Sequence, residues 1–211
     1  MSKKTKDLIV FVERNSLILS GNSFEKPIKL VFNKEVFSDL EIVDKKVFVE
    51  NISAQFKNKE VYGNLIIVFS DDTCFVNEIP INSTQEQIEV EEKRFISLMP
   101  FDKVIYKLIK FTNSYKLIGI NSDIYLTIEE TLAAKGFSLL MVLPKTVIPN
   151  FDLNSVIPES LKVYSLVETN NGIKTGLNKT IFPSKKNYLS LLVGVFIFLL
   201  VILAILIVRR G

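Results

Sequence analysis

Carboxylates are the side chains of this sequence that are best placed to do chemistry. Asp71 and Asp72 stand between two apolar segments, and Glu13 together with Glu50 or Glu78 could join them. Metal-dependent hydrolases and nucleases use clustered carboxylates to hold divalent cations beside a phosphate or a water. Two adjacent aspartates between strands are also the ordinary composition of a solvated turn. We favour the turn and keep a hydrolase or nuclease using Mg²⁺ or Mn²⁺ as the alternative function.

Other reactive side chains are scarce. The 211 residues contain no histidine and one cysteine, Cys74, which lies in an apolar stretch and is predicted to be a small buried side chain. Without histidine the chain lacks the commonest general base and every Ser-His or Cys-His nucleophile pair. A zinc site normally draws on several Cys or His ligands. The sequence therefore predicts no catalytic residue, no metal site and no cofactor.

The charges do not suggest a nucleic-acid partner. Lys and Arg number 26 and Asp and Glu 23, for a formal net charge of +3. The basic residues are scattered among acidic ones and form no stripe, which a nucleic-acid footprint would require.

The elements that must position these residues occupy the first 150 positions, where strand and helix patterns alternate. Strands are predicted at 8–12, 17–19, 28–32, 65–69, 74–79, 104–111, 115–120 and 138–143, and helices at 44–60, at 84–98 and from Ser122 to Gly136. The strand at 74–79 is predicted to form a hairpin with the strand at 65–69. Strands interleaved with helices predict a mixed α/β domain over residues 1–150.

The helix predicted at 84–98 is the candidate surface for a protein partner. It is rich in glutamate, and we assign Glu86, Glu89, Glu92 and Phe95 to this surface. A plain solvated face is the other interpretation, since charge runs usually have that origin.

Periodicity fades after residue 150, and residues 151–186 are predicted to be a linker. Asn170-Asn171-Gly172 and Gly176 are turn signals within it. Residues 163–167 are predicted as one extra strand.

The end of the sequence is predicted to be a membrane anchor. Residues 188–208 contain no charge, no proline and one glycine. A helix of ~20 apolar residues spans the ~30 Å of a bilayer's hydrocarbon. We therefore predict one transmembrane helix over residues 187–208 and a short basic tail at 209–211. The anchor residues are Tyr188, Leu192, Gly194, Phe196, Phe198, Ile202 and Val208, and the flanking cations are Lys185, Lys186, Arg209 and Arg210.

The body is predicted to lie in the cytoplasm, at the inner or plasma membrane. A secretory signal needs an apolar stretch of ~7–15 residues, whereas the run at 8–12 is ended by Glu13 and Arg14. The lipid bilayer is thus one expected partner. Ser190 and Gly194 form a small-xxx-small pair, a spacing that lets two helices approach closely. The same spacing also recurs by chance, and Phe196 and Phe198 are bulky neighbours, so we give it little weight and keep a homo-oligomer only as an open alternative.

Two motifs resemble a known family. Residues 89–96 run as a helix into Met99-Pro100-Phe101-Asp102, where PilM-type sequences have a helix running into Ile-Pro-Phe-Asp. Residues 132–137 and the apolar run 139–143 resemble the helix, turn and strand that close the family's inserted subdomain. PilM is the actin-like cytoplasmic protein of type IV pilus machines, and the cytoplasmic part of the type II secretion protein GspL is similar. The resemblance covers residues 7–145 and implies an RNase H-like/actin-like half-domain.

The sequence departs from this family where a nucleotide would bind. The phosphate-contacting loop, Asp-Ile-Gly-Ser-Ser, would fall at Val12-Glu13-Arg14-Asn15-Ser16, which has no glycine. Close approach of backbone to phosphate normally needs glycine. The second actin-like half is also missing from the sequence, so we expect no ATP binding.

The resemblance therefore implies a non-catalytic, membrane-anchored adaptor or scaffold of a type IV pilus or type II secretion-like platform, whose partners are other platform proteins. The membrane-tethered RNase H-like hydrolase or nuclease is the alternative. A tail-anchored protein that has converged on this order of elements is a third interpretation.

Overall fold

The computed structural model describes residues 7–21, 24–57, 61–167 and 179–181. The strands are β1 (Leu8–Glu13), β2 (Ser16–Gly21), β3 (Ile28–Val31), β4 (Phe37–Ser38), β5 (Glu41–Ile42), β6 (Gly63–Phe69), β7 (Phe75–Pro80), β8 (Val104–Lys110), β9 (Ser114–Asn121), β10 (Phe137–Pro144) and β11 (Lys179–Ile181). The helices are α1 (Lys45–Ala54), α2 (Gln85–Ser97) and α3 (Ser122–Ala133).

A five-stranded mixed sheet forms the centre of the fold, in the order β10-β6-β1-β2-β3. β1, β2 and β3 are antiparallel, with Val10 opposite Leu19, whereas β1, β6 and β10 run parallel. The apolar runs of β1 and β6 are buried along their length because layers cover both faces, as is usual for parallel strands. The predicted mixed α/β class is confirmed.

Helices α1 and α3 cover one face of this sheet. The side chains of Phe48 and Ile52 are fully buried there, as their spacing predicted. Asp44 caps the start of α1 by accepting from the Val47 N–H at 3.0 Å. The helix ends at Ala54, six residues earlier than predicted. Gly136 follows α3 at φ +98°, the conformation expected of a helix-ending glycine.

The other face of the central sheet is covered by the chain that follows β10. The ring of Phe151 packs against that of Phe11 at a tilt of 36°, with 5.1 Å between ring centroids, and Ile157 is buried in the same cluster. The packed part of the chain thus reaches beyond residue 150, where the sequence pattern placed the start of the linker. The extra strand predicted at 163–167 is wrong: Glu159–Tyr164 form 3-10 turns, and the residues after them bond to β10 individually.

A second sheet, in the order β11-β8-β9-β7, is antiparallel and carries α2 on one face. The hairpin predicted between 65–69 and 74–79 is wrong, because β7 pairs with β9, with Phe75 opposite Gly119. β6 has β1 and β10 on its two sides and therefore has no edge to offer β7. The spacing of apolar residues predicts that a segment forms a strand, but it does not predict which strand lies beside it.

A short hairpin of β4 and β5 was not predicted. Its two-residue turn holds Asp39 and Leu40 at φ +51° and +63°. Positive φ at both central residues is typical of a type I′ turn, which usually contains Asn or Gly. Asp-Leu is an uncommon pair at these positions, so this hairpin carries no recognisable turn signal.

Candidate functional site

Three parallel strands end at the same edge of the central sheet and bring most of the predicted carboxylates together. Glu13 ends β1, Ser70 and Asp71 follow β6, and Lys145 follows β10. The space outside the carboxyl ends of strands is the usual ligand position in open α/β sheets. The resulting strand-end cleft has a volume of about 490 Å³ and is lined by Phe11, Glu13, Arg14, Asn15, Ser70, Asp71, Asp72 and Lys145.

Glu13 is held from two sides at the rim of the strand-end cleft. Its carboxylate accepts hydrogen bonds from Lys29 Nζ and Ser16 Oγ, each at 2.6 Å. The bond from Lys29 and then that from Ser16 hold the pKa of Glu13 below its usual value. Arg14 and Asn15 form the tight turn between the paired residues Glu13 and Ser16. Charged side chains thus stand where the resembling family places its glycine-containing phosphate loop.

Asp71 and Asp72 open a 3-10 turn, as the turn interpretation expected. The Thr73 N–H donates to the Ser70 carbonyl at 3.0 Å, and Ser70 Oγ donates to the Asp72 carboxylate. Lys145 Nζ lies 3.7 Å from the Asp71 carboxylate. Asp72 is therefore held by a local hydrogen bond, and Asp71 lies beside one cation.

The strand-end cleft unites Glu13, Asp71 and Asp72 but not the other two candidate carboxylates. Glu50 lies on α1, 4.0 Å from Lys46, and Glu78 lies on β7 in the second sheet. Within the described ranges, no three acidic or cysteine side chains converge closely enough to hold a metal ion. The metal-dependent alternative therefore has no ligand set in this part of the chain.

Cys74 stands behind the cleft and is a poor nucleophile. The residue is partly exposed but packs against the clusters on both faces of the central sheet. Burial, followed by the charge of Asp71, raises the pKa of Cys74 to about 12. Since the thiolate is the reactive species, the raised pKa makes Cys74 a weak nucleophile near neutral pH.

Helix α2 presents a mainly acidic surface. Glu86 and Glu89 are exposed and Glu92 is half-buried. Phe95 is not exposed beside these glutamates, as the sequence prediction assumed: it is 6% exposed and packs edge-on against Tyr106 beneath the helix, where it also lines the groove next to β7. The helix needs an apolar stripe to attach to its sheet, and Ile88 and Phe95, seven residues apart, supply it.

A groove of about 260 Å³ runs between the last turns of α2 and the edge strand β7. Leu98, 71% exposed, and the half-buried Met99 and Phe75 give it an apolar floor, with Glu91 and Arg94 at its rim. Together with the exposed glutamates of α2, this groove forms the candidate interaction surface.

Sequence reasoning missed the cations that engage the carboxylates. Lys29 lies on β3 and Lys145 follows β10, far from Glu13 and Asp71 in sequence. Their positions depend on which strands are neighbours, and a single lysine in an apolar pattern carries no such information. Only the strand order of the family that this sequence resembles could have indicated their positions.

The predicted membrane anchor lies outside the described residues, as do its flanks. The prediction names Tyr188, Leu192, Gly194, Phe196, Phe198, Ile202 and Val208, with Lys185, Lys186, Arg209 and Arg210 beside them. In the part of the chain that the structure describes, no helix is both long and apolar enough to cross a membrane.

No protein-family model matches this sequence, and no curated protein matches it. Solved structures of three proteins are similar in fold. The cytoplasmic domain of EpsL, an inner membrane component of the type II secretion system of Vibrio cholerae, is 14% identical, with 70% of this chain and 61% of that chain covered and a TM-score of 0.42. The PilM-PilN type IV pilus biogenesis complex is 11% identical, with 68% and 48% covered and a TM-score of 0.45.

The third is a Bacteroides thetaiotaomicron protein with an actin-like ATPase fold and unknown function, 15% identical, with 65% and 52% covered and a TM-score of 0.37. The match spans between about half and three fifths of the length of these structures. The resemblance to PilM and GspL predicted from the sequence is confirmed as a likeness in fold.

Proposed function

We propose that this protein is a non-catalytic adaptor, anchored at the inner face of a membrane, that binds other components of a type IV pilus or type II secretion-like platform. The motifs at residues 89–102 and 132–143 supply the class of protein. The apolar run at 188–208 supplies the anchor. Descriptions of the similar structures as an inner membrane secretion component and a pilus complex agree with this class, and we extend them to this chain only as part of the proposal.

The single observation that carries the non-catalytic part is the state of the strand-end cleft. An anionic phosphate would meet the Glu13 carboxylate at the β1–β2 turn, which is fixed by Lys29 and Ser16. Asp71 and Asp72 lie in the same cleft, beside the cations Arg14 and Lys145. Residues 13–16 contain no glycine, so the backbone of this turn lacks the residue that allows close approach to a phosphate.

The interaction itself is assigned to α2 and the groove beside β7. Exposed glutamates next to an apolar groove fit a partner segment that carries basic and apolar side chains. Phe95 packs α2 onto its own sheet beneath this surface.

The test is affinity purification of the full-length protein from its native membrane in mild detergent, with mass spectrometry of the associated proteins. Two charge-reversal variants accompany it: Glu86→Lys with Glu89→Lys on α2, and Glu25→Lys with Glu35→Lys on exposed positions elsewhere. We expect platform subunits to co-purify with the wild type and the second variant, and to be depleted at least tenfold from the first.

Recovery of the protein without platform subunits would contradict the adaptor proposal. Equal recovery with both variants would leave the adaptor in place and remove α2 as its surface. Calorimetry with Mg·ATP is expected to show no binding at millimolar nucleotide, and hydrolysis of DNA, RNA or a phosphodiester with Mn²⁺ would favour the metal-dependent alternative.

A further inference from the structure

A lysine lies inside the protein, between the two sheets. Lys107 is 7% exposed and stands on the face of β8 that also carries the buried Ile105 and Ile109. Burying an ammonium group costs free energy unless it is fully hydrogen-bonded. An alternating strand would normally place an apolar side chain here, so the lysine must have specific partners.

Two of its partners are main-chain carbonyls of the segment 151–167, which we call the strap. Lys107 Nζ donates to the Val163 carbonyl at 2.8 Å and to the Ser165 carbonyl at 2.9 Å. Hydrogen bonds from a charged donor are about twice as strong as neutral ones. They also require the two carbonyls to converge on one point, which fixes the conformation of the strap there.

The same stretch of the strap closes the open edge of the central sheet. β10 is the edge strand, and its Val142 N–H donates to Ser165 Oγ at 3.0 Å while its Val142 carbonyl accepts from the Leu166 N–H at 2.8 Å. Ser165 and Leu166 are 2% and 0% exposed. β8, β10 and the strap therefore meet at one small cluster made of Lys107, Val142 and Ser165.

The strap also has a defined place in the chain. Its earlier residues Phe151 and Ile157 cover the second face of the central sheet, and its end leads in sequence to the apolar run at 188–208. Between them, Lys179–Ile181 pair with β8, the strand that carries Lys107. β8 therefore contacts the chain that leads to the predicted anchor at two positions, through Lys107 and through its pairing with Lys179–Ile181.

We propose that Lys107 is a latch that fastens the strap to the body and keeps the outer edge of β10 covered. When the latch is closed, the edge of β10 is paired and the sheet face is covered. When it opens, the main-chain groups of the β10 edge and of the strap become accessible to solvent. This fastening role does not depend on the proposed adaptor function.

The test is hydrogen exchange with mass spectrometry on the full chain in detergent micelles. In Lys107→Met, which keeps the apolar stem and removes the ammonium, we expect peptides covering 139–145 and 161–167 to exchange at least tenfold faster. Peptides from β1 and β6 should be unchanged. The matched control is Lys110→Met, at an exposed lysine of the same strand, which should leave all four peptides unchanged.

Ser165→Ala provides an independent variant, since it removes the hydroxyl bridge to Val142 and keeps the strap's carbonyls. It should accelerate hydrogen exchange in the same two peptides. If Lys107→Met does not fold, the result for Ser165→Ala tests the latch by itself. Unchanged exchange at 139–145 and 161–167 overturns the latch. A uniform acceleration that includes β1 and β6 also overturns it, because the lysine would then support the whole fold rather than the strap.

Discussion

Glu13 is the residue whose chemistry most affects the strand-end cleft. Its carboxylate is 29% exposed and bonds to Lys29, which is 52% exposed. Solvent weakens such a pair, so Glu13→Gln is expected to destabilise residues 1–186 by only about 0.2–1 kcal/mol at pH 7. Urea unfolding measures this difference, with Glu35→Gln as an exposed control expected to change stability by less.

The pH dependence of the same variant follows from the lowered pKa of Glu13. Because the folded-state pKa lies below the unfolded value, the unfolded chain binds the proton more readily. The stabilisation is complete above the unfolded pKa and disappears as the pH falls through the folded pKa. We expect the gap between wild type and Glu13→Gln to shrink between pH 7 and pH 3, and a gap that widens in acid would contradict this assignment.

At the scale of elements, α2 offers a test of local structure. Thr84 Oγ1 accepts from the Gln87 N–H at 3.3 Å, and the Gln87 side chain accepts from the Thr84 N–H at 2.8 Å. This capping box occupies donors that the helix itself cannot satisfy. Thr84→Ala is expected to cost about 0.5–2 kcal/mol.

The conservative variant Thr84→Ser retains the hydroxyl and should stay within about 0.5 kcal/mol of the wild type. Thermal unfolding of both variants measures the comparison. Equal losses for alanine and serine would mean that the threonine methyl group, not the cap, matters at this position.

The elements also show which structural features a sequence pattern can predict. Apolar runs and helical spacing located all three described helices and the strands of both sheets except β11, since each of those elements buries a regular stripe. They did not identify the partner of β7, which depends on the edges left free by other strands. The packing of the strap was not predicted, because its buried residues, such as Ile157 and Leu166, show no regular spacing in the sequence.

At the scale of the whole molecule, the sequence likewise predicts some features of the candidate site and misses others. The sequence placed Glu13 and the aspartate pair near strand ends, and parallel pairing of β1 with β6 then brings those ends together. Lys29, Lys145 and Lys107 could not be assigned from sequence, because their partners lie on strands and loops distant in the chain. Those cations pair with the carboxylates of the cleft and with the carbonyls of the strap.

The predicted anchor determines where all of these surfaces operate. An arginine near the centre of a membrane helix costs about 2.5–3.5 kcal/mol by insertion measurements. We therefore expect Leu199→Arg with Ile202→Arg to move the full-length protein from the membrane pellet to the supernatant on alkaline carbonate extraction. The matched pair Leu199→Ile with Ile202→Leu keeps the apolar character and should remain in the pellet. If the wild type itself is extracted by carbonate, residues 187–208 do not span the bilayer. The strap would then lead to a peripheral segment instead of an anchor.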